Sequence, residues 1–197
     1  METKDRDKEI SEFPSADSHK SATELSRPLL LVDIDGVISL FGGGQPALGS
    51  STQTGVAAGS LHSIEGILHF LSATAAAHLL DLAQHFELVW CSGWEEKANE
   101  HLPHLLGLPP SLPFLRFERS VGRSNAHWKL AAIDEFAGER ALAWVDDALN
   151  DACHEWAQAR TQSIAPTLLV QTAPERGLTQ REAELLNVWA AELRAAR

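Results

Sequence analysis

Two aspartates, Asp33 and Asp35, close the apolar run "RPLLLVDIDGV", and a second pair, Asp146 and Asp147, closes another, "ALAWVDD". Residues two apart in an extended chain point the same way. Asp33 and Asp35 therefore crowd like charges together, which costs energy unless a cation or a reaction needs them there. Ser92 ends a third apolar run, "FELVWCS", and Lys129 stands near the start of "NAHWKLAAIDEFAG". Four carboxylates, one hydroxyl and one ammonium suggest a hard cation together with an anion. Mg²⁺ prefers a few carboxylates, retains waters and partners phosphate oxygens. The chemistry these residues point to is that of Mg²⁺ and a phosphoryl group.

For the acids, the serine and the lysine to meet, the three apolar runs must lie side by side. "LLLVD" reads as a central strand buried on both faces, and "FELVWCS", "ALAWVDD" and "PTLLVQT" as three more strands. Between them fall helical patterns: 72–85 with Ser72 as N-cap, a stretch after Ser92 that Pro103 is expected to kink or split, 125–138 stopped by Gly138, a helix opening at "NDAC", and a last one over 179–196. Alternating strands and helices predict an α/β fold, a three-layer Rossmann-like sandwich with a central parallel sheet and right-handed crossovers. In such sheets ligands bind outside the carboxyl ends of the strands, where Asp33, Ser92 and Asp146 fall. Residues 1–26 are polar, lack any hydrophobic period and read as a disordered N-terminal tail ahead of one domain over 27–197. The Gly/Ser/Thr-rich stretch 42–60 and the hairpin expected in "LHSIEGILHFL", turning at Glu65-Gly66, form a candidate flap within 38–71. "LPPSLPFLRFE" reads as an irregular connection with one short strand.

In order, "DIDGV", the serine of "CSGW", the lysine of "HWK" and the "VDD" after the third strand resemble the four motifs of the haloacid dehalogenase superfamily, over roughly residues 28–195. The spacings are 59 residues from Asp33 to Ser92, 37 to Lys129 and 17 to Asp146. The resemblance implies a Mg²⁺-dependent phosphohydrolase acting on a phosphate monoester. Asp33 would be the nucleophile, forming an aspartyl-phosphate, and Asp35 the general acid and then the general base. Ser92 and Gly93 would bind the phosphoryl group. Lys129 would neutralise it and keep Asp33 ionised. Asp33, the Asp35 main-chain carbonyl, Asp146 and Asp147 would hold Mg²⁺. Asp35 also favours phosphate chemistry over dehalogenation, because a halide leaves without a proton. Two departures are Val37, where many phosphatases of the superfamily carry Thr, and the segment 37–72, too short for a helical cap domain. A capless or minimal-cap member with an open site is expected, taking a phosphorylated small molecule or a macromolecular phosphate end.

Composition narrows the alternatives. Lys+Arg 16 against Asp+Glu 27 gives a net charge of −11, which disfavours a broad nucleic-acid-binding surface. No run approaches the ~20 apolar residues of a membrane span. The two cysteines, Cys91 and Cys153, form no framework, so a reducing, cytoplasmic location is expected. A receiver domain uses similar groups in another order, with the acid pair opening the chain and the phosphorylated aspartate later. A non-catalytic phosphate-binding or regulatory protein on the same fold would be expected to lose Asp33 or Lys129, whereas a phosphotransferase shares the aspartyl-phosphate step. A serine hydrolase on Ser92 lacks the glycine two residues earlier that a nucleophile elbow needs. Among bland roles, Ser92 is a candidate turn or N-cap residue and Asp151 a helix cap. Lys97 is a rival to Lys129, and His101 and His104 lack the acidic partner and spacing of a zinc helix. Trp90, Trp94, Trp128 and Trp144 are expected mostly in the core, with Trp94 able to line the pocket.

Overall fold

The strand Leu29–Val32 (β1) is apolar at every position, and all four side chains are fully buried. Leu30 and Val32 enter one core, Leu29 and Leu31 the other. Alternate residues of a strand face opposite ways, so an uninterrupted apolar run has to be covered on both sides, and each such side chain contributes ~1.5–3 kcal/mol on burial. The computed structural model describes residues 27–42, 58–118 and 125–196. The tail expected over 1–26 and most of the loop 42–60 lie outside the described residues.

β1 is flanked in parallel by Glu87–Trp90 (β5) and Leu142–Asp146 (β6), and Thr167–Gln171 (β7) adds to β6, giving the order β5-β1-β6-β7. Three further strands, Ser39–Leu40 (β2), Gly59–Ile64 (β3) and Ile67–Ser72 (β4), form a separate antiparallel sheet in the order β2-β4-β3. The chain is thus mixed α/β, with a four-stranded parallel sheet flanked by helices. One core takes Ala75 and Leu79 of Ala73–Leu82 (α1), Ala98 and Leu102 of Lys97–Leu106 (α2), and Ala183 and Leu186 of Gln180–Ala195 (α5). The other takes Ile133 of Leu130–Ala137 (α3) and Cys153 of Asp151–Ser163 (α4).

The expected hairpin is present. Its turn residues Glu65 and Gly66 both have positive φ, 50° and 82°, as a tight two-residue hairpin turn requires. β4 runs straight into α1, and Ser72 caps that helix by accepting from the Ala75 amide at 3.1 Å. The irregular connection after α2 does add one short strand-like pairing, Phe114 beside Trp90.

Three local expectations need correction. α2 begins at Lys97 rather than just after Ser92 and runs through Pro103 without splitting. Proline removes one amide donor, yet Ala98, Leu102 and Pro103 itself are buried, and that burial holds the helix together. The helix expected from 125 opens as a 3₁₀ turn, Ala126–Lys129, before α3. α4 is capped by Asn150, whose side chain accepts from the Cys153 amide at 3.3 Å, while Asp151 is the first residue inside the helix. Among the described residues, no helix is long and apolar enough to cross a membrane.

Candidate active site at the carboxyl ends of the sheet

β1 and β6 stop at the same level, so their terminal aspartates become neighbours. The Asp33 amide continues the ladder to the Val145 carbonyl at 3.0 Å. The chain then folds back: the amides of Ile38 and Ser39 both donate to the Ile34 carbonyl at 2.8 Å. Gly36, with φ +72°, makes this reversal. A Cβ there would stand 2.3 Å from Asp147 Cγ, so only glycine lets the loop approach the second acidic pair. Thr172, just past β7, fastens both loops. Its hydroxyl donates to the Gly36 carbonyl at 2.8 Å and its amide to the Asp146 carbonyl at 3.2 Å.

Between the two strand ends lies Lys129, buried to 3% exposure. Its Nζ is 2.9 Å from Asp33 Oδ2 and 2.7 Å from Asp146 Oδ2. Each carboxylate is oriented by an amide on its other oxygen, Ile34 N–H to Asp33 Oδ1 at 2.8 Å and Ala148 N–H to Asp146 Oδ1 at 2.9 Å. Asp33, Asp146 and Asp147 each offer an oxygen within 4.8 Å of the others. When ionised, three carboxylates against one ammonium leave an excess of two negative charges.

The titrations follow from burial first and from that excess second. Burial alone would push the Lys129 ammonium down, but Asp33 and Asp146 more than offset it, and its pKa lies above the ordinary value. Burial, then the charge of Asp33, pushes Asp146 up to about 6 against the pull of Lys129. Burial and Asp33 also raise Asp147. Asp35 is raised by burial first, opposed by the indole N–H of Trp94, which donates to Asp35 Oδ2 at 3.0 Å. A donor set made of carboxylate oxygens suits a hard divalent cation rather than one that seeks sulfur or imidazole. Asp33, Asp146 and Asp147 fit such an ion, and the side chain of Asp35 stands outside their cluster.

These groups open into a cleft of about 320 Å³ lined by Asp33, Asp35, Ser92, Lys129, Asp146 and Asp147. Gly93 lines it too, so every residue expected at the site from the sequence is in one place. A second cleft of about 330 Å³ lies between α4 and β7, but its walls, among them His154, Gln158 and Thr161, carry no carboxylate and no lysine. Ser92 is buried and its carbonyl accepts from the Glu95 amide at 3.0 Å. It does not cap α2, whose N-cap position is Glu96. Lys97 points elsewhere and pairs with Glu65 on the hairpin at 2.6 Å, both exposed to water. His101 is half-buried and His104 exposed.

Trp90 and Trp144 are core residues, but Trp128 belongs with the cleft rather than the core. Phe41 and Asn125 also line it. Neither carries a motif or a periodicity by which sequence could have found it. Asn125 Oδ1 is buried with no hydrogen-bond partner among the described residues. Neither a comparison with family models nor one with curated proteins yields a match for this chain.

Proposed function

We propose that the chain is a Mg²⁺-dependent phosphohydrolase of haloacid dehalogenase type, cleaving a phosphate monoester through an aspartyl-phosphate. The observation that carries this reading is the buried Lys129 ammonium between Asp33 and Asp146, beside Asp147 and open to the cleft that Asp35 and Ser92 share. An anionic nucleophile meets an anionic phosphate only where positive charge offsets the repulsion.

Lys129 pairs with Asp33 at 2.9 Å, and the Ile34 amide orients the carboxylate from its other oxygen. Asp33 attacks phosphorus as the bond to the leaving oxygen breaks, and Asp35 passes its proton to that oxygen. Asp35 then takes a proton from the water that attacks the aspartyl-phosphate, which frees inorganic phosphate and restores the Asp33 carboxylate. Its raised pKa suits a group that must hold a proton before it donates one. Ser92, Gly93 and Lys129 are the phosphoryl-binding groups. Asp33, Asp146, Asp147 and the Asp35 carbonyl would hold Mg²⁺, which when bound supplies charge neutralisation at the phosphoryl oxygens. Phe41, Trp128 and Asn125 line the same cleft, where the leaving group of the substrate would lie.

The test is phosphate release from p-nitrophenyl phosphate and a panel of sugar and nucleotide phosphates, comparing wild type with Asp33→Asn, each with Mg²⁺ and with EDTA. Turnover that needs the metal and is lost in the variant supports the proposal. Release that survives Asp33→Asn refutes the nucleophile. Transfer of phosphate to an added alcohol in preference to water would mark a phosphotransferase built on the same intermediate.

A further inference from the structure

The side chain of Asp35 is held from outside its own loop. Trp94 Nε1 donates to Asp35 Oδ2 at 3.0 Å. The imidazole of His69 meets Trp94 edge to face, with ring centroids 4.9 Å apart and planes at 70°. His69 is fixed in turn, because its Nδ1 shares a hydrogen bond of 2.9 Å with the hydroxyl of Ser39. Ser39 belongs to β2 and makes a backbone bridge to Asp35 itself. The four residues thus form a closed circuit from Asp35 through Trp94, His69 and Ser39 back to Asp35. His69 lies on β4 of the hairpin and Trp94 just past β5 of the main sheet, so the circuit ties the two sheets together at the cleft.

We infer that Trp94 and His69 are positioning residues for proton delivery by Asp35, the indole N–H fixing the carboxyl plane and His69 fixing the indole. This rests on the phosphohydrolase reading. An oxygen that accepts an N–H hydrogen bond is the poorer site for the acid's own proton. Trp94 therefore marks Oδ2 as an acceptor, while the Ser39 hydroxyl, a further hydrogen-bond partner of the carboxyl, steadies it from the loop side. In the transfer, the bond from phosphorus to the leaving oxygen breaks, its electron pair stays on that oxygen, and the proton of the Asp35 carboxyl joins it. Asp35 is left as a carboxylate that Trp94 continues to stabilise through Oδ2.

This role has a signature that a purely structural one lacks. A nitrophenolate leaves without needing a proton, whereas an alkoxide does not. The experiment measures kcat and KM for p-nitrophenyl phosphate and for an alkyl monoester, glycerol 2-phosphate, in wild type, Trp94→Phe, His69→Ala and the double variant, all with Mg²⁺. Trp94→Phe keeps an aromatic ring against His69 and removes the N–H together with part of the indole's volume, which is why the ratio of the two esters, and not kcat on either alone, is the readout. The expected result is a fall of about tenfold in the ratio of kcat on the alkyl ester to kcat on the aryl ester, with KM for both unchanged, as loss of one orienting hydrogen bond to a general acid implies. His69→Ala lowers the same ratio by less, and its effect shrinks in the Trp94→Phe background, because it acts mainly through the indole.

A ratio unchanged within about twofold, or equal losses on both esters, overturns the inference while leaving the phosphatase intact. Full additivity of the two substitutions overturns the part assigned to His69. Absence of Mg²⁺-dependent release from either ester by the wild type refutes the phosphohydrolase reading instead. Should Trp94→Phe fail to fold by circular dichroism, His69→Ala alone decides by the same ratio.

Discussion

Replacing Lys129 with methionine removes the ammonium that holds Asp33 and Asp146 together while an unbranched side chain still fills the space of its stem. The two ion pairs it breaks are 2.9 Å and 2.7 Å long, between side chains with relative exposures of 4%, 11% and 0% for Lys129, Asp33 and Asp146. Removing one partner of a buried ion pair costs about 3–5 kcal/mol, because the charge left behind is neither solvated nor paired. For a domain of this size each kcal/mol moves the melting point by roughly 2–4 °C, so the expected drop is on the order of 6–20 °C. The protein can lessen the loss by protonating a carboxyl, and Asp146, already raised to about 6, is the first to do so. The drop is therefore larger at pH 7.5 than at pH 5.5. Thermal melts followed by circular dichroism in EDTA at the two pH values measure it. Mg²⁺ should restore part of the stability, since the variant keeps the carboxylates of Asp33, Asp146 and Asp147 with no internal cation. A loss below about 1 kcal/mol at pH 7.5 in EDTA would refute the reasoning, because exposed pairs cost no more than that and the carboxylates would then have to reach water.

Further outcomes follow from the same geometry. A carboxyl whose folded pKa exceeds its unfolded value contributes stability below the unfolded value that is lost as pH rises through the folded one. For Asp146 that window runs from the ordinary 3.8 up to about 6. Because the metal competes with that proton, the rise in melting point on adding Mg²⁺ should grow between pH 5 and pH 7, and a flat profile would remove Asp146 from the metal site. Gly36→Ala should cost about 1–2 kcal/mol for the left-handed backbone alone and weaken Mg²⁺ binding in a calorimetric titration. The added Cβ would displace Asp147, so unchanged affinity would contradict the close packing of the two loops. Ser72→Ala removes the α1 cap and should cost about 0.5–2 kcal/mol in denaturant unfolding, with kcat/KM unaltered. A kinetic effect would mean that the hairpin–helix junction reaches the cleft.

Much of the architecture was legible because the signals are local and physical. "LLLV" and "ALAWV" are short runs apolar at consecutive positions, the pattern of a strand buried on both faces, and Glu65-Gly66 has the chemistry of a tight turn. The helix starts were less legible. Asn150, not Asp151, caps α4, since either residue is a good cap and only the course of the backbone chooses between them. α2 starts late because Ser92–Glu96 is drawn into the loop bordering the cleft, where Glu95 takes a positive φ of 48° and its side chain accepts from the Phe117 amide.

The site divides in the same way. That Asp33, Ser92, Lys129 and Asp146 could meet was legible from their places at strand ends or near the start of the intervening helix, since parallel strands bring those ends to one edge, but that the three strands are neighbours, in the order β5-β1-β6, was decided by the tertiary structure. What order cannot specify is which distant side chains complete the surroundings. Thr172 reaching Gly36 across 136 positions, Trp94 turning to Asp35 across 59, and Phe41, Trp128 and Asn125 lining the cleft depend on how far each loop travels after its strand ends. Loop paths are set by the packing of many weak interactions over the whole chain. The kinds of chemistry available were thus written in the residue types at the strand ends, while the burial that shifts their titration and the partners that orient them came into being only when the chain closed around them.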